Sequence, residues 1–121
     1  MRGIGIDAVD IARFRRALER TPSLRERLFT EEELDALDRR EDAVPGLAAR
    51  FAAREAAMKA LGVGIGAFDM HDVSVRRLEG GRPQLVVSGR AASLARAHDI
   101  TSWHVSLTHT ETVAMAVVSA H

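Results

Sequence analysis

The segment LAARFAAREAAMKAL at residues 47 to 61 constrains the fold most, because a run so rich in alanine strongly favours a helix and Gly62 supplies its stop. Leu47, Phe51 and Met58 define an apolar stripe along that helix. Glu55 and Lys59, four residues apart, project together from one shoulder of the stripe, at the edge of the core.

The flanking patterns supply what this helix packs against. Residues 3 to 9, GIGIDAV, read as a short buried strand with Asp7 at or near its end. Asp10 then caps a helix through about Arg20, whose buried face is Ile11, Phe14 and Leu18 and whose other face is arginine. Thr30 and Glu33 form a T-x-x-E capping box that opens a second helix, ending near Arg40. Residues 41 to 46, with Pro45 and Gly46, read as a loop. Val73 and Val75, a Gly80-Gly81-Arg82-Pro83 turn and the apolar run from 85 to 87 predict a hairpin. A fourth helix follows from Ser88 or Gly89 to about Ala97. Trp103, Val105 and Leu107 alternate as strand positions, and residues 113 to 118 form a last strand across a tight turn at 109 to 111. The predicted order is β-α-α-α-β-β-α-β-β. It describes a single α+β domain over residues 1–121, an antiparallel sheet with helices packed on one face.

At 121 residues and 13.2 kDa the chain has the size of one domain and can bury roughly two-thirds of its unfolded surface. It contains no cysteine, which removes disulfides, thiolate metal sites and cysteine nucleophiles. Charges too close to the few apolar residues of MRGIGIDAVD argue against a secretory signal, and no apolar run approaches membrane-span length; the expected location is cytoplasmic. Lys plus Arg and Asp plus Glu are equal at 17 each, so nothing global points to nucleic acid or to an anionic membrane. Locally the balance differs. Residues 11 to 28 carry Arg13, Arg15, Arg16, Arg20, Arg25 and Arg27 against Glu19 and Glu26, while residues 31 to 42 are as strongly acidic. Every basic side chain is Arg except Lys59: either codon usage favours Arg, or position 59 needs a compact, rotatable ammonium.

Glu55 and Lys59 form either an ordinary surface pair, contributing about 0.3 to 0.5 kcal/mol, or part of a site. Hard cations such as Mg²⁺ take oxygen ligands and keep several waters, so Glu55 needs a partner acid. Asp7 is the candidate, since an Asp in a buried strand must be paired, hydrogen-bonded or metal-bound; the alternative is a helix-entry cap shared with Asp10. His109, in the turn after a strand, either reaches over the sheet edge into a cleft or is a solvated turn residue. His71, His98, His104 and His121 have no metal-ligand spacing and are taken as structural or exposed. Gly62, Gly64 and Gly66 follow a helix instead of opening one, so they are a helix stop and not a phosphate loop.

The opening GIGIDAVDIARFRR, the central RFAAREAAMKALGVG and the late WHVSLTHT, at these separations, resemble the three motifs of the holo-acyl-carrier-protein synthase family, small bacterial phosphopantetheinyl transferases. The FT-x-x-E segment from Phe29 and the Gly81-Arg82-Pro83 turn match as well. The resemblance implies transfer of the phosphopantetheine arm of coenzyme A to a serine of apo acyl carrier protein, with Mg²⁺ as cofactor and adenosine bisphosphate released. It implies a homotrimer with sites between subunits. Carried over, it makes Asp7 and Glu55 the Mg²⁺ ligands and puts Lys59 on the CoA phosphates. Arg50 would hold the ribose phosphate, and His109 would line the nucleotide site from a neighbouring subunit. Glu55, a water on the cation or His109 could each take the serine proton. Arg13, Arg16 and Arg20, at three- and four-residue spacing, form a basic stripe suited to an acidic carrier protein. Two departures stand: Arg54 where the family often has Lys, and Thr110 where some relatives carry Asp.

Two other readings compete: a non-catalytic adaptor binding an acidic partner through the Arg-rich first helix, and a different Mg-dependent nucleotide phosphotransferase. The residues from 113 to 118, apolar on both strand faces, exceed what one helical layer can cover, which predicts an oligomer interface.

Overall fold

In the computed structural model, which describes residues 1–121, β1 (Gly3–Asp10) is followed by α1 (Ile11–Arg20), α2 (Leu24–Leu28), α3 (Glu31–Leu37) and α4 (Val44–Leu61). A 3-10 turn (Met70–Asp72) leads into β2 (Val73–Arg77) and β3 (Pro83–Val87). Then come α5 (Gly89–Ala97), β4 (Trp103–His109) and β5 (Val113–Ala120). The α+β class is as the patterns predict, but the strands divide. β1, β5 and β4 make one antiparallel sheet in that order, and the β2–β3 hairpin stands as a second.

The caps form as their chemistry requires. Asp10 Oδ2 accepts from Arg13 N at 2.9 Å, and the Thr30–Glu33 box is reciprocal, with bonds of 3.2 and 2.9 Å. Gly62, at φ 73°, closes α4 and lets Val63 N donate back to Met58 O at 3.0 Å. Two helix boundaries and one whole helix differ from the sequence reading. α3 ends at Leu37. α4 starts at Val44, because Pro45 occupies the first turn, where a missing N–H costs nothing. The five-residue α2 has too few positions to display a period, so it is not visible in the sequence.

Helix α4 joins both halves of the core. Ala52, Ala53, Ala56, Ala57, Met58 and Leu61 pack with Val73, Val75, Ala116, Val118 and Ala120. Leu47, Ala48 and Ala49 pack with Ile11, Phe14, Phe29 and Leu37. Arg54, fully buried, anchors this junction. It donates to Glu33 Oε2 at 3.0 Å and Oε1 at 2.5 Å and to Met70 O at 2.8 Å, and its guanidinium lies 5.1 Å from the Phe29 ring centre. Burial pushes the Glu33 carboxyl up. The bonds and charge of Arg54, with the N–H groups of Thr30 and Val75, outweigh this and hold it below the usual range.

Strand β1 is an edge strand, not one buried on both faces. Its Gly3, Gly5, Asp7 and Val9 face α4, while Ile4 and Ile6 are 58% and 53% exposed on the other side. Met115 and Val117 of β5 share that open face, Val117 directly beside Ile6 and Met115 beside Ala8.

Candidate active site

Glycine sets the distance between α4 and β1. A Cβ on Gly5 would lie 1.9 Å from Ala56 O, and one on Gly3 2.1 Å from Ala60 O, so only hydrogen at both positions lets the alanine face of the helix lie on the strand backbone. The period of two then places Asp7 on the same face, beside the turn of α4 that carries Glu55 and Lys59. The GIGID sequence is thus a docking surface followed by its acid.

Lys59 Nζ donates to Ile6 O at 2.8 Å and to Asp7 Oδ1 at 3.3 Å. No ion pair joins it to Glu55; the surface pair considered from spacing does not form, because the edge strand offers a carbonyl and a carboxylate instead. Glu55 is left without a hydrogen-bonding partner, and its carboxyl is raised, first by burial and next by the negative charge of Asp7, with Lys59 acting the other way. Asp7 and Glu55 therefore set two carboxylates near enough to feel each other's charge, beside a single ammonium. That donor set suits Mg²⁺, which accepts one or two carboxylates and fills its remaining positions with water and substrate phosphate oxygens.

Other candidate residues lie elsewhere. Arg50, five residues before Glu55 and so about 140° around the helix, is only 2% exposed; its Nη1 donates to Gly46 O at 3.2 Å and its Nε has no partner. Burial lowers its pKa, the nearby Glu33 carboxylate opposes this, and the charges of Arg77, Arg40 and Arg54 lower it further. His109 is the last residue of β4 and not a turn residue. It is exposed and lines a cleft of about 540 Å³ with Ile11, Arg15, Asp42 and Pro45. It pairs with Ala114, which pairs with Val9, so two strand spacings, roughly 10 Å, separate it from β1. One chain does not bring His109 to Asp7. Nor do Asp7, Glu55 and Lys59 line any of the larger concavities, the largest of which, about 600 Å³, lies between α1, α3 and the start of α4. Thr110 organises the β4–β5 turn, its hydroxyl accepting from Thr112 N and Val113 N. Arg13, Arg16 and Arg20 are exposed on α1, and their side chains form no ion pair.

Sequence reasoning missed Glu33 as the partner of Arg54, although its capping-box position marked it, and missed the Ile6 carbonyl, which has no side-chain signature. A family model described as the 4'-phosphopantetheinyl transferase superfamily matches residues 3–118. The chain belongs to that superfamily. A holo-[acyl-carrier-protein] synthase of Beutenbergia cavernae is 48% identical over 118 residues, spanning 98% of this chain and 96% of its own. Among solved structures, the holo-[acyl-carrier-protein] synthase of Neisseria meningitidis superposes with a TM-score of 0.90 at 29% identity, covering 100% of this chain and 98% of its own. The Helicobacter pylori synthase, solved in complex with coenzyme A, gives 0.81 at 28% identity, covering 98% and 99%. The resemblance carried by the three motifs is borne out, and the chain is an enzyme of the phosphopantetheinyl transferase class. The adaptor reading is set aside. No helix is long and apolar enough to cross a membrane.

Proposed function

We propose that residues 1–121 form one transferase domain that moves the phosphopantetheine arm of coenzyme A to a serine of apo acyl carrier protein, in the cytoplasm, with Mg²⁺ required. The observation that carries this reading is the grouping of Asp7, Glu55 and Lys59 at the β1–α4 contact, in a chain nearly half identical to a named synthase over almost its full length. The reaction breaks the pyrophosphate of coenzyme A: the serine oxygen attacks the phosphorus nearest the pantetheine, and adenosine bisphosphate leaves. Asp7 and Glu55 would hold the Mg²⁺, which when bound supplies Lewis acidity on phosphate oxygens. Lys59, exposed at its head and anchored on Ile6 O, neutralises charge growing on the leaving phosphate. Glu55 and His109 are the groups able to accept the serine proton. Arg50 meets the ribose phosphate; a buried guanidinium with an orphaned Nε–H near Arg40 and Arg77 supports an anion there. Arg13, Arg16 and Arg20 steer an acidic carrier protein onto α1.

Assembly completes the site. The open sheet face bearing Ile4, Ile6, Met115 and Val117 is a contiguous apolar surface that a neighbouring subunit could cover, and Asp7 and His109 lie too far apart within one chain to share a ligand's phosphates. Both observations support a homotrimer in which His109 of one subunit faces the carboxylates of the next. Incubation with CoA, Mg²⁺ and a panel of apo carrier proteins should add one phosphopantetheine mass to the carrier; no mass gain on any carrier overturns the activity. Mixing inactive His109→Ala with inactive Glu55→Ala protein should restore part of the activity after subunit exchange. A monomeric mass by light scattering, or no rescue after verified exchange, overturns the shared site.

A further inference from the structure

Asp7 and Glu55 do not make a complete cation cage. No third carboxylate or imidazole groups with them. Lys59 Nζ already donates to one of their oxygens, Asp7 Oδ1 at 3.3 Å, while its shorter bond, 2.8 Å, ties it to the backbone at Ile6 O. We infer that Lys59 couples the two ligands of this site. Mg²⁺ and the pyrophosphate of coenzyme A each bind weakly alone and tighten one another, because phosphate oxygens give the ammonium a partner in place of Asp7. The coupling rests on the transferase reading above.

Charge sets its direction. A divalent cation arriving alone meets two carboxylates but also the ammonium that occupies one of their oxygens. A pyrophosphate arriving alone gains the ammonium but meets both carboxylates. When the two arrive together the cation separates carboxylate from phosphate, and every charge has an opposite neighbour. Mg²⁺ is suited to this, since it is usually held by one or two carboxylates together with substrate phosphates and seldom by an all-protein cage.

The strand edge lets Lys59 make the exchange without leaving the site. Ile11 N donates to Thr112 O in the β1–β5 register, so the odd-numbered residues of β1 bond to β5 and the carbonyl of Ile6 points away from the sheet. That carbonyl anchors Nζ whichever partner takes its other hydrogens, an ammonium having three to give. The Lys59 side chain is 55% exposed and the Asp7 side chain 19%, so an incoming phosphate reaches the ammonium from solvent.

The test reads binding and not turnover. Mn²⁺, which shares the preference of Mg²⁺ for carboxylate oxygen, is titrated into the full chain and followed by electron paramagnetic resonance, with and without saturating coenzyme A and without carrier protein. A protein-free titration corrects for Mn²⁺ on free coenzyme A, and calorimetry measures coenzyme A binding with and without Mg²⁺. Coenzyme A should lower the Mn²⁺ dissociation constant about tenfold or more, and Mg²⁺ should tighten coenzyme A binding by a similar factor, as linkage requires. Lys59→Met should tighten Mn²⁺ binding to the protein alone by about fivefold or more and shrink the coupling factor. Asp7→Asn should abolish Mn²⁺ binding throughout, which assigns the ion to this site. Circular dichroism checks that both variants keep the fold. Mn²⁺ binding that ignores coenzyme A, or that is unchanged or weakened in Lys59→Met, overturns the coupling and leaves the transferase reading standing. No Mn²⁺ binding in any condition, or full binding in Asp7→Asn, overturns the cation site and the coupling with it.

Discussion

Replacing Gly5 by Ala tests whether the β1–α4 contact positions the site. The added Cβ would sit 1.9 Å from Ala56 O and 2.9 Å from Ala60 N, where ordinary contact begins at 3.4 Å; the strand and helix must therefore part locally by about 1.5 Å, the difference between the first and last distances. The obstruction is backbone on both sides, so no rotamer change relieves it. Overpacking of this kind costs about 1 to 3 kcal/mol, which for a domain of this size lowers the melting temperature by roughly 4 to 15 °C. The effect on chemistry should be larger in proportion. Ala56 neighbours Glu55 and lies one turn before Lys59, so the same retreat draws both away from Asp7, and a displacement near 1 Å at a reacting centre costs about 100-fold in rate. Melting followed by circular dichroism and turnover measured well below both melting temperatures separate the two effects. Gly64→Ala is the control: no atom lies within 4 Å of its Cβ and its φ is ordinary, so stability should change by less than about 0.5 kcal/mol. Parent-like melting and turnover in Gly5→Ala would refute the reasoning.

Glu55→Gln should abolish turnover yet raise the melting temperature at neutral pH in metal-free buffer. Burial and Asp7 raise the Glu55 pKa in the folded chain, so the ionised form opposes folding above that pKa and the opposition vanishes as pH falls below the ordinary carboxylate range; a stability gain that grows on acidification contradicts this sign. Glu33 has the reverse linkage, its depressed pKa giving stability that is lost as pH falls through the folded value. Glu33→Ala should cost about 3 to 5 kcal/mol at pH 7 by leaving the Arg54 charge buried and unpaired, and denaturant melts will show it. Lys59→Arg keeps the charge but puts a planar fork where a rotatable ammonium spans Ile6 O and Asp7, so turnover should drop sharply; unchanged kinetics would make Lys59 a remnant of codon usage. Ile6→Asp tests the proposed trimer and should give a monomer mass in light scattering with the far-ultraviolet dichroism preserved.

What could be read in the sequence was what short-range chemistry decides. The Asp10 cap, the Thr30–Glu33 box, the Gly62 stop and the Gly80–Gly81 turn each join residues at most a few positions apart, and all four form. Pro45 misled because a proline ends a helix from inside but opens one from its first turn, and nothing nearby distinguishes the two uses. The open face of β1 was hidden for a different reason: Ile4 and Ile6 look like core residues whether their cover is a helix of the same chain or another subunit. Spacing alone paired Lys59 with Glu55, the neighbour one turn away. The acceptor it finds is Ile6 O, 53 residues distant and brought close only because Gly3 and Gly5 leave no side chain between strand and helix. The two glycines, which carry no functional group, thus determine which charges meet, and the site is built by their absence of bulk as much as by the acids themselves.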